Sequence, residues 1–93
     1  MSNPPNNEYR KPYNGERVLT ADRVEITEGL RVWTNDLETG VISLENADFE
    51  WHGPEQRYVL WFRVIRDKFP NDHGCLQSDD RVATRHPFSG KSA

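Results

Sequence analysis

Three histidines, one cysteine and a pair of adjacent aspartates are the residues of this chain with the most obvious chemical potential. His73-Gly74-Cys75 sets two metal-ligating side chains two positions apart, with His52 and His86 as the other imidazoles. Zinc sites take four soft or borderline ligands, usually delivered as close pairs, and one Cys with scattered His is no such set. Neither a metal nor any other cofactor is expected. Asp79-Asp80-Arg81 places two carboxylates beside a guanidinium. Acid–base work needs carboxylates that converge in a pocket with separated pKa values, which adjacency along the chain does not provide. At the start of a helical turn the oxygens of Ser78 and Asp79 have a simpler use, accepting free backbone N–H groups. A nucleophile needs a base and an orienting partner. Cys75, Ser43, Ser78 and Ser89 stand in no nucleophile elbow or cysteine signature, and no two glycines are close enough to frame a phosphate loop. The chain is not expected to be an enzyme.

Recognition is the chemistry that remains. Trp33, Phe49, Trp51, Tyr58, Trp61 and Phe62 crowd the middle of the sequence. Exposed aromatic rings stack bases, hold cationic side chains or anchor protein interfaces. In so small a chain most of them must be core. Trp33, beside Arg31 at the mouth of a polar loop, and Trp51, between Glu50 and His52, are the two in polar surroundings. With Asp36, Glu38 and Glu50 they make up the expected contact face of a protein-binding module. Charge supplies a second reading. Through Gln56 the chain carries 5 Lys/Arg against 11 Asp/Glu, and from Arg57 onward 7 against 4. Arg57, Arg63, Arg66, Lys68, Arg81 and Arg85 are the groups that would contact phosphates if the module bound nucleic acid. The overall net charge of −3 favours the protein partner.

The elements that must position these residues are strands. Leu30 and Val32 alternate with Arg31 and Trp33, a half-buried strand pattern. Asn35, Asp36 and Gly40 read as turn residues, and Val41-Ile42-Ser43-Leu44 as the return strand of a hairpin. Glu45 to Gln56 is polar and reads as a loop with a short strand around Phe49 and Trp51, closed by Gly53-Pro54. The clearest strand is Arg57 to Ile65, β-branched and aromatic throughout. Tyr58, Leu60, Phe62 and Val64 lie on one face, Val59, Trp61 and Ile65 on the other. A loop from Lys68 to Gly74, a short strand near Leu76, one helical turn at Ser78 to Arg81 and a last strand to Arg85 complete the order. Val24 and Ile26 flank Glu25 in a further strand-like triplet. The expected core is Val32, Val41, Leu60, Phe62, Val64 and Val82.

Ninety-three residues hold one domain. Residues 1–15 contain only polar, turn-forming or isolated aromatic residues, so they cannot offset their own ordering entropy and read as a flexible arm. The domain then spans 16–88, with a tail at 89–93. A lone cysteine excludes an internal disulfide and suits a reducing cytosol. The N-terminus lacks an apolar leader, and no run approaches the ~18 apolar residues of a spanning helix. A soluble cytoplasmic protein without membrane contact is expected.

Five short strands with one helical turn before the last, together with Gly29-Leu30-Arg31-Val32, Gly40-Val41-Ile42 and the long aromatic strand, resemble the Tudor and KOW members of the small SH3-like barrels. Such barrels host many unrelated tasks. The runs Arg31-Val32-Trp33-Thr34-Asn35-Asp36-Leu37, Gly40-Val41 and Arg81 to Phe88 resemble short proteins of actinobacteria and their bacteriophages, over about Gly29 to Phe88. That resemblance carries no activity with it. It implies a cytosolic, phage-type module that binds a host or phage macromolecule.

Overall fold

The computed structural model describes residues 3–93. The chain is mostly β, with 43 % of residues in strands and no helix of seven residues or more. Five strands make one antiparallel sheet: β1 (Arg10–Pro12), β2 (Arg31–Trp33), β3 (Thr39–His52), β4 (Arg57–Arg66) and β5 (Cys75–Ser78). Two single 3-10 turns lie at Pro5–Asn7 and Asp79–Arg81. Among the described residues no helix is long and apolar enough to cross a membrane.

The sheet is organised by β3, which pairs with β4 over Gly40 to Ser43 and again over Asp48 to His52. Its other edge takes β2 at Thr39 to Val41 and β1 at Asp48 to Glu50. One strand can serve two neighbours because it bends. Between Ser43 and Asp48 its register with β4 slips, four β3 residues facing the single step through Phe62. Asn46 takes the bend with φ +59°, a left-handed conformation that asparagine tolerates better than most residues. The freed amide of Leu44 donates to Glu28 Oε1 at 2.7 Å. The short strand expected around Phe49 and Trp51 is therefore part of one continuous strand that runs to His52, and the expected turn at Gly53-Pro54 follows it. The strand's charged residues Asp48, Glu50 and His52 alternate with Ala47, Phe49 and Trp51, and Ala47 and Phe49 are buried.

The core joins Ile26, Val32, Ile42, Ala47, Phe49, Leu60, Phe62, Val64 and Val82. Five of the six expected core residues are in it. Val41 is the exception, only partly buried, with Ile42 in its place. Both are β-branched and adjacent, so only pairing sets the phase. Val32 faces Gly40 and Val64 faces Ile42, which puts the even-numbered residues of this part of β3 inward. Gly40 is thus a buried strand residue, not a turn residue. The tight turn before it uses Leu37 at φ +62°, held by Leu37 N–H to Thr34 O and Thr34 N–H to Glu38 O. On β4 the outer face is that of Arg63, which is exposed; Trp61 and Ile65 share it and are half-buried, while Val59 at its other end is buried.

The N-terminal segment, expected as an arm either disordered or extended along the surface, takes the extended form. Its first two residues lie outside the described part, but Arg10–Pro12 form an edge strand. Trp51 N–H donates to Tyr9 O at 2.8 Å, and Tyr58 Oη donates to Glu8 O at 2.6 Å. Arg10 reaches Asp48 at 3.0 Å and Glu50 at 2.6 Å. The ordering comes from partners on β3 and β4, which the arm's own composition cannot reveal. The expected strands around Glu25 and toward Arg85 reduce to isolated bridges, Leu19 to Glu25 and Trp33 to Ala83. The last of these, with N–H to O distances of 2.7 and 3.2 Å in the two directions, is the backbone link from β2 to the segment after the second 3-10 turn. The sheet is not closed.

Candidate functional site

A groove of about 540 Å³ runs between residues 16–21 and the paired ends of β3 and β4, and it reaches the second 3-10 turn. Phe49 and Tyr58 line it with Val18 and Leu19, while Lys11, Glu16, Arg17, Arg57, Asp79 and Asp80 supply charge. The aromatic side arises directly from strand pairing. Trp51 is opposite Tyr58 and Phe49 opposite Leu60, flanking the turn at residues 53–56. Tyr13, Phe49, Tyr58 and Trp51 consequently form a row, with successive ring centroids 6.0, 6.3 and 5.1 Å apart and the last two contacts edge-on. Edge-to-face packing at such separations is favourable for aromatic rings. Lys11, paired with Phe49 across the strands, lays its ammonium over Tyr58 at 4.3 Å and Phe49 at 5.4 Å. The row already holds one cation against its faces.

The charged wall is anchored by Asp79, which is buried. Its carboxylate accepts Leu60 N–H at 3.2 Å and faces Arg57, with each oxygen 3.4 Å from the guanidinium. Glu55 and Asp80 lie 3.5 Å from the same arginine. Burial works against the Arg57 charge, but Asp79, Glu55 and Asp80 outweigh it and hold the group cationic. Asp79 therefore does not cap the turn, as its sequence position suggests. It fixes the turn to β4. Ser78 makes no backbone cap either; its hydroxyl donates to Asp80 Oδ1 at 2.6 Å.

The expected protein-contact residues are divided between two places. Trp51 belongs to the aromatic row, with Glu50 on the neighbouring outer face engaged by Arg10. Trp33 pairs with Thr39 at the opposite end of β3, where its Nε1 donates to Lys91 O at 2.9 Å and the His86 ring meets it edge-on at 4.8 Å. Asp36 is exposed in the turn beside Trp33, and Glu38 lies 3.6 Å from Arg66. Trp33 and Trp51 thus do not form one face.

The phosphate-contact set is dispersed as well. Arg57 and Arg66 stand at opposite ends of β4, and both face carboxylates, Arg66 with Asp72 at 3.3 Å in addition to Glu38. Arg63 donates to Gly74 O at 3.3 Å, and Arg85 to Gly90 O at 3.4 Å. Lys68 and Arg81 are exposed. His52 pairs with Glu55, and His86 packs on Trp33. Among the described residues no three His, Cys, Asp or Glu side chains are placed to hold a metal ion.

Sequence reasoning missed Lys11, Tyr13 and Arg17 because it assigned the first two to an unpaired arm and gave Arg17 no role. The signal that could have found the row is the placement of Trp51 and Tyr58 on either side of Gly53-Pro54, where a hairpin makes them cross-strand neighbours.

A second polar centre lies below the C-terminal segment. Asp22 accepts hydrogen bonds from Thr84 N–H, Thr84 Oγ1, Arg85 N–H and Thr20 Oγ1. Partial burial pushes its carboxyl up, but the Thr20 and Thr84 hydroxyls with the Thr84 and Arg85 amides overcome that and hold it at about 2. The folded pKa is below the ordinary 3.8, so the contribution to stability is present above about pH 4 and is lost as pH falls toward 2. Asp22→Asn should remove that part of the acid unfolding profile, measured by denaturation midpoints between pH 5 and 2. An unchanged slope would refute the arrangement.

Comparison of the chain with protein-family models, with curated proteins and with solved structures returns no match.

Proposed function

We propose that this chain is a non-enzymatic protein-binding module with SH3-like barrel organisation, which takes an extended segment of its partner in the groove of Phe49 and Tyr58. The observation that carries the reading is the groove itself. It combines an aromatic surface with charges of both signs and is framed on one side by β3, β4 and the 3-10 turn and on the other by the irregular segment 16–21, which a bridge from Leu19 to Glu25 ties down. Apolar concavities with a few placed polar groups are the usual form of a ligand site. Lys11 over the rings shows the chemistry this row accepts, so a partner Lys or Arg would take the ring faces by displacing Lys11. The SH3-like reading is supported by the meander β2 to β5 followed by the 3-10 turn and the Trp33–Ala83 bridge. The ion-paired state of Arg57 and Arg66 argues against a phosphate track through both of them.

A peptide-library selection on the full chain tests the proposal. Selected ligands should shift backbone amide resonances of residues 16–21 and 57–58. Tyr58→Ala and the exposed-wall variant Arg17→Ala should weaken them, the former by at least about tenfold, as loss of a central aromatic contact does. Ligands that bind Tyr58→Ala and Arg17→Ala as tightly as the native chain would sink the groove reading. A salt titration on a mixed oligonucleotide separates the nucleic-acid reading. Micromolar affinity that collapses with added salt would replace the protein partner by nucleic acid.

A further inference from the structure

Phe88 is 86 % exposed, more than any other large hydrophobic residue in the described chain. An exposed phenylalanine on a loose tail means little. This one is held on a built turn. His86 N–H donates to Lys91 O at 2.8 Å and Gly90 N–H to His86 O at 2.8 Å, while Ala93 N–H reaches Thr84 O at 3.0 Å. The His86 ring closes the turn from inside, its Nδ1 accepting both Phe88 N–H and Ser89 N–H at 3.1 Å. Trp33 braces the base through its edge-on contact with His86 and its bond to Lys91 O. Asp22 pins Thr84 and Arg85 at the other side. Residues 89–93, expected as a tail, thus belong to a closed structure that presents Phe88 outward.

The surroundings define what it presents Phe88 to. Trp33, Leu37 and Pro87 line a shallow depression of about 190 Å³, extending the apolar surface toward β2. From Arg81 to Ala93 the chain contains Arg81, Arg85 and Lys91 and no acidic side chain. None of these three cations is in an ion pair among the described residues. Arg81 and Asp80 share the depression with Pro87, but Asp80 is engaged by Ser78 and Arg57. We propose that the Thr84–Ala93 turn is a second docking element, separate from the groove, which inserts Phe88 into an apolar pocket of a partner protein rimmed by Asp and Glu side chains. A pre-ordered aromatic anchor loses little conformational freedom on binding, and flanking cations complement an acidic rim.

The experiment places a photo-crosslinking phenylalanine analogue at position 88 of the full chain, expressed in the cells that normally make it. The expected result is one dominant adduct whose crosslinked peptide maps to an apolar pocket bordered by carboxylates. Phe88→Ala should then weaken the purified partner's binding by at least about tenfold. Its melting temperature should change by no more than about a few degrees, because the ring is largely in solvent with the His86 ring 5.8 Å away. Arg81→Glu with Lys91→Glu should also weaken binding, whereas Lys68→Ala, an exposed cation outside both sites, should leave it intact. A wild-type affinity for Phe88→Ala overturns the proposal. So does an adduct with a second copy of this chain or with nucleic acid, a scatter of adducts over many proteins, or no adduct. Equal loss in Lys68→Ala reduces the effect to general charge and removes the second site, while Tyr58→Ala reports on the groove, so failure here is distinguishable from failure of the groove reading.

Discussion

Leu60→Ala should lower stability by ~2–5 kcal/mol, the range for truncating a fully buried leucine. Leu60 has no exposed surface, and it sits at the centre of β4 between Phe49 on β3 and the second 3-10 turn. The lost methyl groups leave a cavity that neighbours on three sides cannot readily fill, because Phe49, Phe62 and Val82 are held by separate elements. The effect is also local to the groove. The amide of Leu60 is one of the groups that fix Asp79, and collapse of β4 toward the cavity would shift Asp79 and Arg57 together. For a chain this short, each kcal/mol moves the midpoint by roughly 4–8 °C, so the loss should be about 8 °C or more. Calorimetry checks it. A melting point within a few degrees of the native protein would mean that β4 is not the central strand.

Gly40→Ala should cost about 3 kcal/mol, at the upper end of what overpacking does, although it adds one methyl group. A Cβ at this position would lie 2.5 Å from Ile65 O, 2.8 Å from Val64 Cγ1 and 3.0 Å from Arg66 Cα. Two of those atoms are backbone of the paired strand, which cannot retreat without breaking the β3–β4 ladder. Gly40 faces Val32 on one side and Arg66 on the other, so β2 would be displaced as well. The requirement is for space, since the position has no left-handed backbone conformation. Gly90 gives the internal contrast. Its φ is +70° and open space surrounds the point where a methyl would stand, so Gly90→Ala acts through backbone strain alone. Denaturant midpoints should rank Gly40→Ala as the more damaging of the two. A neutral Gly40→Ala would show that the register between β3 and β4 is different.

These two positions also separate what is legible in a linear sequence from what is not. The β-branched and aromatic run at Arg57 to Ile65 announces a buried strand, because such side chains fit a pleated, two-sided packing environment better than a helix. Leu60, Phe62 and Val64 were therefore assignable to the core, and the short strand near Leu76 and the single turn after it were also readable. Val41 and Ile42 were not distinguishable. Side chains on a strand alternate, and two adjacent apolar residues leave the phase open until a partner fixes it. Gly40 carried the opposite signal from its role, since glycine marks turns by conformation and close packing by size, and composition does not tell these apart.

The site shows the same division. The residue types available for recognition, three tryptophans with tyrosines and arginines, are determined by the sequence. So are the strand character of the chain and the hairpin that makes Trp51 and Tyr58 neighbours. Their grouping was decided only by tertiary structure. Local patterning reports which face a side chain occupies relative to its own neighbours, whereas β3 bends at Asn46 and carries Trp33 and Trp51 to opposite ends of the sheet. The order of the N-terminal segment is likewise a property of its partners. Arg10–Pro12 contain nothing that pays for their own ordering, and the open edge of β3 supplies hydrogen bonds that no local reading can anticipate. Asp79 is the clearest case. Its sequence position suggests a turn cap, but long-range packing buries it against Leu60 and Arg57, and that contact holds the groove wall in place.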